Sequence, residues 1–230
     1  MFTRRSLPLF GIVLTVCLAG CTAVDEDRWR IFNEDGVLLF SKGNYREALE
    51  NFDLALTLHS QDPILIYNMA QCYDRLGDAK NAEQYYAMCL QREAKHADAR
   101  LALIELYYRT NRVSQGNQMI RDWLVNEPKS ADPYVADAWR MRQERNYPLA
   151  QARLQQALAI DANDRRALTE LAILDEIQGQ KDRAYVLYER ILAREPHQIE
   201  IRERLEKLKA EGIKPALLPG ELPGFMLALP

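Results

Sequence analysis

Few side chains in this sequence have the types and spacings that catalysis or metal binding requires. The three histidines, His59, His96 and His197, lie more than 34 residues apart along the chain. In an extended array of short units they cannot converge on one metal ion. The sequence also has no glycine-rich phosphate loop, nucleophile elbow or helix with metal-ligand spacing. We therefore predict a protein that is not an enzyme and that has no metal or cofactor.

The charge balance argues against a further class of partner. The chain has 30 Lys and Arg residues against 33 Asp and Glu residues, a formal net charge of −3, and no basic block. Binding to nucleic acid depends on clustered positive charge. A nucleic-acid partner is therefore not expected.

Cys21 is the residue for which the surrounding sequence indicates covalent chemistry. Residues 1–5 end in two arginines, residues 7–18 are almost wholly apolar, and Leu18, Ala19 and Gly20 precede the cysteine. A positive start, a short apolar core and a small-residue cleavage site are typical of a secretory signal. The apolar run is too short to remain as a membrane-spanning anchor.

The small residues before Cys21 resemble the bacterial lipobox. In that family the signal is cut before the cysteine, which then carries acyl chains such as palmitate, so the resemblance implies lipidation of Cys21. Two or three acyl chains anchor a protein stably, whereas one does not. Thr22 stands where an aspartate would imply retention in the inner membrane. For a Gram-negative cell the resemblance therefore implies the periplasmic face of the outer membrane. The alternative is an ordinary signal with a chance cysteine.

Leucine recurs five times at an unbroken spacing of 34 residues, and a fixed period of this length indicates a repeat array. Small residues stand eight positions before each leucine, and large apolar residues stand four positions before it. We expect all three rows to contribute to the core. The leucines are Leu56, Leu90, Leu124, Leu158 and Leu192; the small residues are Ala48, Ala82, Gly116, Ala150 and Ala184; the large residues are Phe52, Tyr86, Ile120, Leu154 and Tyr188.

A further position of the same register, thirteen residues before each leucine, indicates a turn. Glycine and asparagine enter the left-handed conformation at low cost and so end helices. Each repeat is therefore predicted to contain a helix, a tight turn and a second helix. The five residues at the turn position are Gly43, Gly77, Asn111, Arg145 and Gly179.

This pattern resembles the tetratricopeptide repeat, with its W-x2-L-G-x2-Y, A-x3-F and closing proline positions. The closing proline is present as Pro128 and Pro196. Asp35, Asp137 and Asp175 depart from the family pattern at sites that are usually apolar. The resemblance implies an all-α fold, a right-handed superhelical solenoid of five helix-turn-helix repeats with a C-terminal capping helix.

The period also sets the expected domain boundaries. The tail after the capping helix is rich in proline and glycine but also apolar, and it either packs on the solenoid or binds a partner. Cys72 and Cys89 lie on the two helices of one repeat, either as a disulfide or as buried thiols. The predicted segments are a signal peptide (1–20), a lipidated N-terminus with a short tether (21–28), five repeats (29–62, 63–96, 97–130, 131–164 and 165–198), a capping helix (199–211) and the tail (212–230).

The first helices of such solenoids line a concave side, which is their usual binding face. We expect aromatic residues and arginines on this side to contact a protein or peptide partner, since interface hot spots favour both types. The alternative is that they are solvated or packed between repeats. The residues of this predicted groove are Tyr67, Gln71, Arg75, Tyr108, Arg109, Trp139 and Arg142.

A lipidated array of this kind resembles the periplasmic tetratricopeptide-repeat lipoproteins that help to build envelope machines. That group includes the pilotins of type IV pili and the assembly lipoproteins of Flp pili. The resemblance implies a membrane-anchored scaffold or assembly factor, with pilus biogenesis as one candidate process. An adaptor for peptidoglycan hydrolases and a factor in outer-membrane protein assembly are the alternatives. The partner's identity and the oligomeric state stay open.

Overall fold

The described part of the chain is helical throughout. The computed structural model describes the backbone of residues 18–216 and the side chains of residues 28–216, and within this range no strand occurs. The predicted all-α fold is confirmed. The helices are α1 (Leu18–Ser41), α2 (Tyr45–Leu58), α3 (Pro63–Arg75), α4 (Ala79–Arg92), α5 (Ala97–Arg109), α6 (Val113–Asn126), α7 (Asp132–Gln143), α8 (Tyr147–Ile160), α9 (Arg165–Ile177), α10 (Lys181–Arg194) and α11 (Ile199–Ala210).

Two of the predicted segments lie mostly outside the described residues. The signal peptide (1–20) overlaps α1 at its last three residues, and the tail (212–230) is described only as far as Ala216. The side chain of Cys21 also lies outside the described residues, so its lipidation stays a prediction. The backbone of the predicted tether (21–28) belongs to α1.

A left-handed residue follows the first helix of each repeat, at the turn position that the sequence predicts. Arginine lacks the conformational freedom of glycine, so its left-handed conformation costs about 1 kcal/mol. The turn nevertheless keeps a left-handed residue at Arg145. The φ angles are 82° at Gly43, 79° at Gly77, 60° at Asn111, 59° at Arg145 and 79° at Gly179.

Two of the three periodic rows form the interior, and the third does not. The small residues are buried, and the large apolar residues four positions before each leucine are at most 1% exposed. The recurring leucines are only half-buried, so the expectation that they lie in the core is wrong. The fully buried place belongs to the residue before each leucine, for example Cys89 before Leu90. One residue turns a helix by about 100°, which moves the leucine to the edge of the core.

The chain divides into two compact units, Met1–Asn111 and Arg112–Pro230. In the first unit each helix from α1 to α5 packs on the next one, around a cluster that includes Phe52, Ala55 and Leu65. In the second unit the helices from α6 to α11 pack in the same sequential way, and α7 also contacts α9.

Helix α11 covers α10 in the second unit. Its Ile201 and Leu208 are buried against a cluster that contains Tyr188 and Ile191. Beyond α11, Ile213 packs on the same cluster, so the beginning of the predicted tail contacts its own unit. The opposite side of α11 is charged. Its exposed residues include Glu200, Arg202, Glu203, Glu206, Lys207 and Lys209.

Cys72 on α3 and Cys89 on α4 are both buried free thiols rather than a disulfide. The thiol of Cys89 donates a hydrogen bond to the carbonyl of Pro63 at 3.3 Å. Burial raises the pKa of each thiol to about 12, so neither forms an appreciable amount of thiolate at neutral pH. Across residues 18–216, no helix combines the length and apolar character needed to cross a bilayer.

Candidate partner-binding surface

The first helices of the first unit are joined to one another by side-chain contacts that repeat along the chain. Asn68 on α3 donates a hydrogen bond to Asn33 on α1 at 3.2 Å. The guanidinium of Arg75 on α3 lies 5.8 Å from the centre of the Phe40 ring on α1, within range of a cation–π contact. These contacts place the same sides of α1 and α3 next to each other.

Asp74 and Arg109 extend the pattern from α3 to α5. Arg109 donates to the Asp74 carboxylate in an ion pair, and the side chain of Arg109 is still 57% exposed. This is the register of the Phe40–Arg75 contact, moved on by one repeat. We define the α3–α5 surface as Tyr67, Gln71, Asp74, Arg75, Tyr108 and Arg109. All five predicted groove residues of the first unit belong to it.

Tyr67 is held within this surface by several contacts. Its hydroxyl accepts a hydrogen bond from Gln71 at 2.7 Å. Its ring centre lies 4.8 Å from that of His96 and 6.0 Å from that of the buried Tyr86. The ring is half-buried. Tyr67 is therefore partly a packing residue.

The remaining predicted groove residues, Trp139 and Arg142, belong to α7 in the second unit. Arg142 is bonded to Glu170 on α9 through two contacts, at 2.9 and 3.3 Å, and both side chains are more than 80% buried. A partner's carboxylate would have to displace Glu170 to reach Arg142. Trp139 is half-buried one turn earlier on α7. We define the α7–α9 surface as Trp139, Arg142 and Glu170.

A family match decides what kind of array these helices form. The tetratricopeptide repeat family matches residues 39–88 and 75–138. Residues 39–138 contain tetratricopeptide repeats. This confirms the family that the 34-residue register predicts, and the helix pairs of both units follow its order of a first and a second helix.

Known proteins with these repeats match the chain over parts of their own length. A TPR repeat-containing protein of Methanocaldococcus jannaschii is 24% identical over 211 residues, covering 86% of this chain and 36% of that protein. Outer dynein arm-docking complex subunit 4 of Danio rerio is 44% identical over 48 residues, covering 21% of this chain and 10% of that protein. The chain thus spans about a third or less of the length of these curated relatives.

Two solved structures show the same fold. A thermophilic TPR protein of Thermus thermophilus superposes with a TM-score of 0.59 at 24% identity, covering 79% of this chain and 99% of that one. The pilF protein of Pseudomonas aeruginosa superposes with a TM-score of 0.51 at 15% identity, covering 86% of this chain and 95% of that one. At these identities the likeness extends to the fold of tetratricopeptide repeats and no further.

The second unit contains a cleft that the sequence did not indicate. Its volume is about 520 Å³, and its lining is wholly charged. Arg204 on α11 bonds to Glu176 on α9 at 3.2 Å, and the Tyr188 hydroxyl donates to the same carboxylate. Glu176 and Arg204 are 28 residues apart, as are Arg142 and Glu170, with the charges exchanged. Opposite charges at this spacing are the signal that could have found both pairs. The lining residues are Glu176, Glu200, Glu203, Arg204 and Lys207.

Two aspartates that depart from the family pattern are buried in the second unit, in different states. Asp137 accepts hydrogen bonds from Arg140 at 2.7 and 2.9 Å and pairs with Arg153 at 2.7 Å. Asp175 has one buried carboxylate oxygen without a hydrogen-bond partner, and Arg183 stays 3.6 Å away from it. Burial raises the pKa of Asp175. Asp35 in the first unit, by contrast, is exposed.

Two of the histidines, His59 and His96, lie at helix ends. Nδ1 of His96 accepts a hydrogen bond from the Ala99 backbone N–H at 3.2 Å and so caps α5. His59 stacks on Trp29 with ring centres 4.8 Å apart. Within the described residues no group of three or more His, Cys, Asp and Glu side chains is arranged to hold a metal ion. The absence of an enzyme activity or a cofactor stays a prediction.

Proposed function

We propose that this tetratricopeptide-repeat protein is a lipid-anchored scaffold of the bacterial envelope that holds a protein partner on its first helices. Tetratricopeptide repeats are protein-binding modules, and a protein-interaction role follows from the family. The observation that carries the proposal for a specific site is the α3–α5 surface. It combines two tyrosine rings with arginines that remain accessible although they already have partners.

The electrostatics of this surface indicate the character of the partner. Arg109 is paired with Asp74, and the Arg75 guanidinium lies over a ring, so neither presents an isolated positive charge. A surface of this kind suits a segment of mixed charge with apolar groups for the rings better than a strongly acidic peptide. The alternative mode is a partner's carboxylate bonded directly to an arginine. Arg109 already bonds to Asp74, and Arg142 already bonds to Glu170. That mode of binding is therefore more costly, since each bond to a partner competes with an existing one.

Partner binding by the α3–α5 surface can be tested with a charge exchange. Asp74→Arg together with Arg109→Asp keeps an ion pair between α3 and α5 but reverses its direction. If the pair only joins the two helices, the exchanged protein should capture its partner normally. If the pair contacts the partner, capture should fall by about tenfold or more while helical content is unchanged. Gln155→Ala with Glu189→Ala, two exposed residues on second helices, is the matched control.

The membrane anchor rests on the sequence around Cys21. The supporting observations are the apolar run, the small residues before the cysteine and Thr22 after it. Cys21→Ala should block lipidation and block removal of the signal by the lipoprotein route. The measurement is fractionation of cells with detection of incorporated palmitate. Unchanged processing and membrane fractionation of the variant would contradict the anchor and the outer-membrane location.

We place the scaffold in pilus biogenesis, with peptidoglycan hydrolase recruitment and outer-membrane protein assembly as the alternatives. The support is the resemblance to pilus-assembly lipoproteins, and the fold of pilF is compatible with it. A photocrosslinking residue at Tyr108, followed by mass spectrometry of the captured protein, separates the three processes. A pilus component supports the first, whereas a cell-wall hydrolase or a barrel protein supports an alternative. Capture no greater than from position 155 would count against the surface itself.

A further inference from the structure

Besides Val37, four large apolar side chains of the first repeat are exposed, two on α1 and two on α2. Isolated exposed leucines are common, but these four share a property of the repeat register. We call them the first-repeat face. They are Ile31 (56% exposed), Leu38 (52%), Leu54 (47%) and Leu58 (36%).

The two α1 residues occupy register positions that are fully covered in the next repeat. Thirty-four residues after Ile31 stands Leu65, and 34 after Leu38 stands Cys72. Both are 0% exposed, because they pack on the preceding repeat in a cluster with Phe52 of α2. At these two positions, a first helix therefore packs against the second helix of the preceding repeat. Among the described residues, nothing plays that part for α1.

The two α2 residues also occupy positions that face a preceding repeat. Arg92 stands 34 residues after Leu58 and donates a hydrogen bond at 3.2 Å to Gln61, in the loop that ends the first repeat. Arg190 has the register of Leu54, and it donates to the carbonyl of Ala162 at 2.9 Å. At each of these two positions one later repeat places an arginine against a loop, whereas the first repeat exposes leucine.

The charges beside Ile31 are self-complementary. Arg28 lies three residues before it and Asp35 four residues after it. At about 100° per residue, both lie within about 60° of Ile31 and on the same flank of α1. In an antiparallel helix pair related by a two-fold axis beside Ile31, Arg28 of each helix meets Asp35 of the other. Such pairs add orientation and partner choice to an apolar contact.

The charged outer side of α11 makes it a poor cover for an apolar face. Head-to-tail stacking of copies through α11 would bury exposed charges such as Arg202 and Glu206 against leucine, at a large desolvation cost. Contact between two identical faces avoids this cost and closes after two copies, as in most homodimers.

We infer that the first-repeat face binds the same face of a second copy of this chain, with the two α1 helices antiparallel and Arg28 bonded to Asp35 across the two-fold axis. This goes beyond the proposed scaffold function and does not depend on the lipid or on the partner of the α3–α5 surface. It makes the protein a closed dimer that carries two copies of each binding surface.

The charge arrangement provides the first test, on the full-length chain purified in detergent. The parent protein should have the mass of a dimer by light scattering. Arg28→Asp and Asp35→Arg should each weaken the dimer by about tenfold or more, and the double variant should restore it. Ile31→Glu with Leu38→Glu should give a monomer of unchanged helical content, since both side chains are exposed. A parent that is monomeric at all concentrations, or a double variant no better than the singles, overturns the proposal.

A cysteine at the proposed axis provides the second test. Ile31→Cys should form a disulfide-linked dimer in cells at native expression. The controls are Val125→Cys, a 78% exposed site on α6, and the parent chain with its own cysteines. Equal crosslinking at positions 31 and 125 overturns the proposal. So does crosslinking of position 31 to a different protein, which would instead assign the face to another partner.

Discussion

The first repeat and the capping helix contain the same two register positions in opposite states. Ile31 and Leu38 of α1 are more than half exposed, whereas Ile201 and Leu208 of α11 are at most 5% exposed. The residue types are alike, so the sequence at these positions does not decide burial. The difference is that α10 covers one side of α11, while no described helix covers the corresponding side of α1.

This comparison shows what a terminal helix of a repeat array requires. Each repeat is stabilised by its neighbours, and a terminal helix needs a polar outer side to stay soluble. Helix α11 meets the requirement with glutamate, arginine and lysine on its open side. Helix α1 and its partner α2 present leucine and isoleucine there instead. Among the described residues, the first repeat therefore resembles an internal repeat without a preceding neighbour.

The largest expected loss of stability comes from truncating the buried one of two residues that share a register position. Leu208→Ala removes a fully buried side chain and should destabilise the second unit by about 2–5 kcal/mol. Leu38→Ala, at the same register position, should cost less than about 1 kcal/mol in the monomer, because the side chain is already largely in water. Urea melts of both variants, made dilute enough to avoid self-association, measure the difference. Equal losses would show that the register positions are equally covered.

A second comparison tests which row of the second helix forms the core. Ile120 and Leu124 are one turn apart on α6, yet Ile120 is 1% exposed and Leu124 is half-buried. Ile120→Ala should cost about 2–5 kcal/mol, and Leu124→Ala distinctly less. The readout is the shift of the denaturant midpoint at constant m-value. A larger loss at Leu124 would restore the interpretation that the recurring leucines form the core.

The sequence predicts the fold well because periodicity reports on local helix geometry. The small residue, the large residue four positions later and the turn residue all have the predicted roles in the structure. The leucine row was misjudged because regular spacing shows that a position is constrained but does not show on which side of the helix it lies. The adjacent residue varies from alanine to tryptophan, as at Ala55 and Trp123, and is nevertheless the buried one.

The candidate surface was harder to predict, because its state depends on contacts between helices far apart in sequence. Arginines can be counted in a sequence, but the partners that neutralise them cannot. Asp74 reaches Arg109 and Glu170 reaches Arg142 only when neighbouring first helices are in register. The sequence placed the arginines on the first helices and missed that Arg109 and Arg142 are already paired there.

The two buried aspartates test whether burial or ion pairing determines how a buried carboxylate affects the stability of the fold. Asp137→Asn weakens the bonds from Arg140 and Arg153 and should cost about 1–3 kcal/mol. Asp175→Asn removes a poorly compensated buried charge and should leave stability at pH 7 unchanged or higher. Circular-dichroism melts of both variants at several pH values provide the measurement.

The pH dependence of Asp175 has a definite sign. Burial raises its pKa in the folded state, so its favourable contribution is complete below the ordinary aspartate pKa and is lost as pH rises through the folded value. The advantage of Asp175→Asn over the parent should therefore be largest at neutral pH and shrink toward pH 4. An advantage that is constant with pH would exclude the charge as its cause.

The smallest effect is expected at the turn between α7 and α8, where a charged residue occupies a glycine position. Arg145 has a φ of 59°, whereas Gly43, Gly77 and Gly179 fill the same register position elsewhere with φ near 80°. Arg145→Gly relieves the strain of a left-handed non-glycine residue but increases the entropy of the unfolded chain. Because Arg145 is exposed, its side chain loses little packing on removal. The net gain should be about 0.5–1 kcal/mol, measured as a small rise in the urea midpoint.

The reverse change, Gly179→Arg, has nothing within 4 Å of the added Cβ and should cost a similar amount through backbone strain alone. A loss on Arg145→Gly would mean that the arginine side chain stabilises its turn by more than the strain costs.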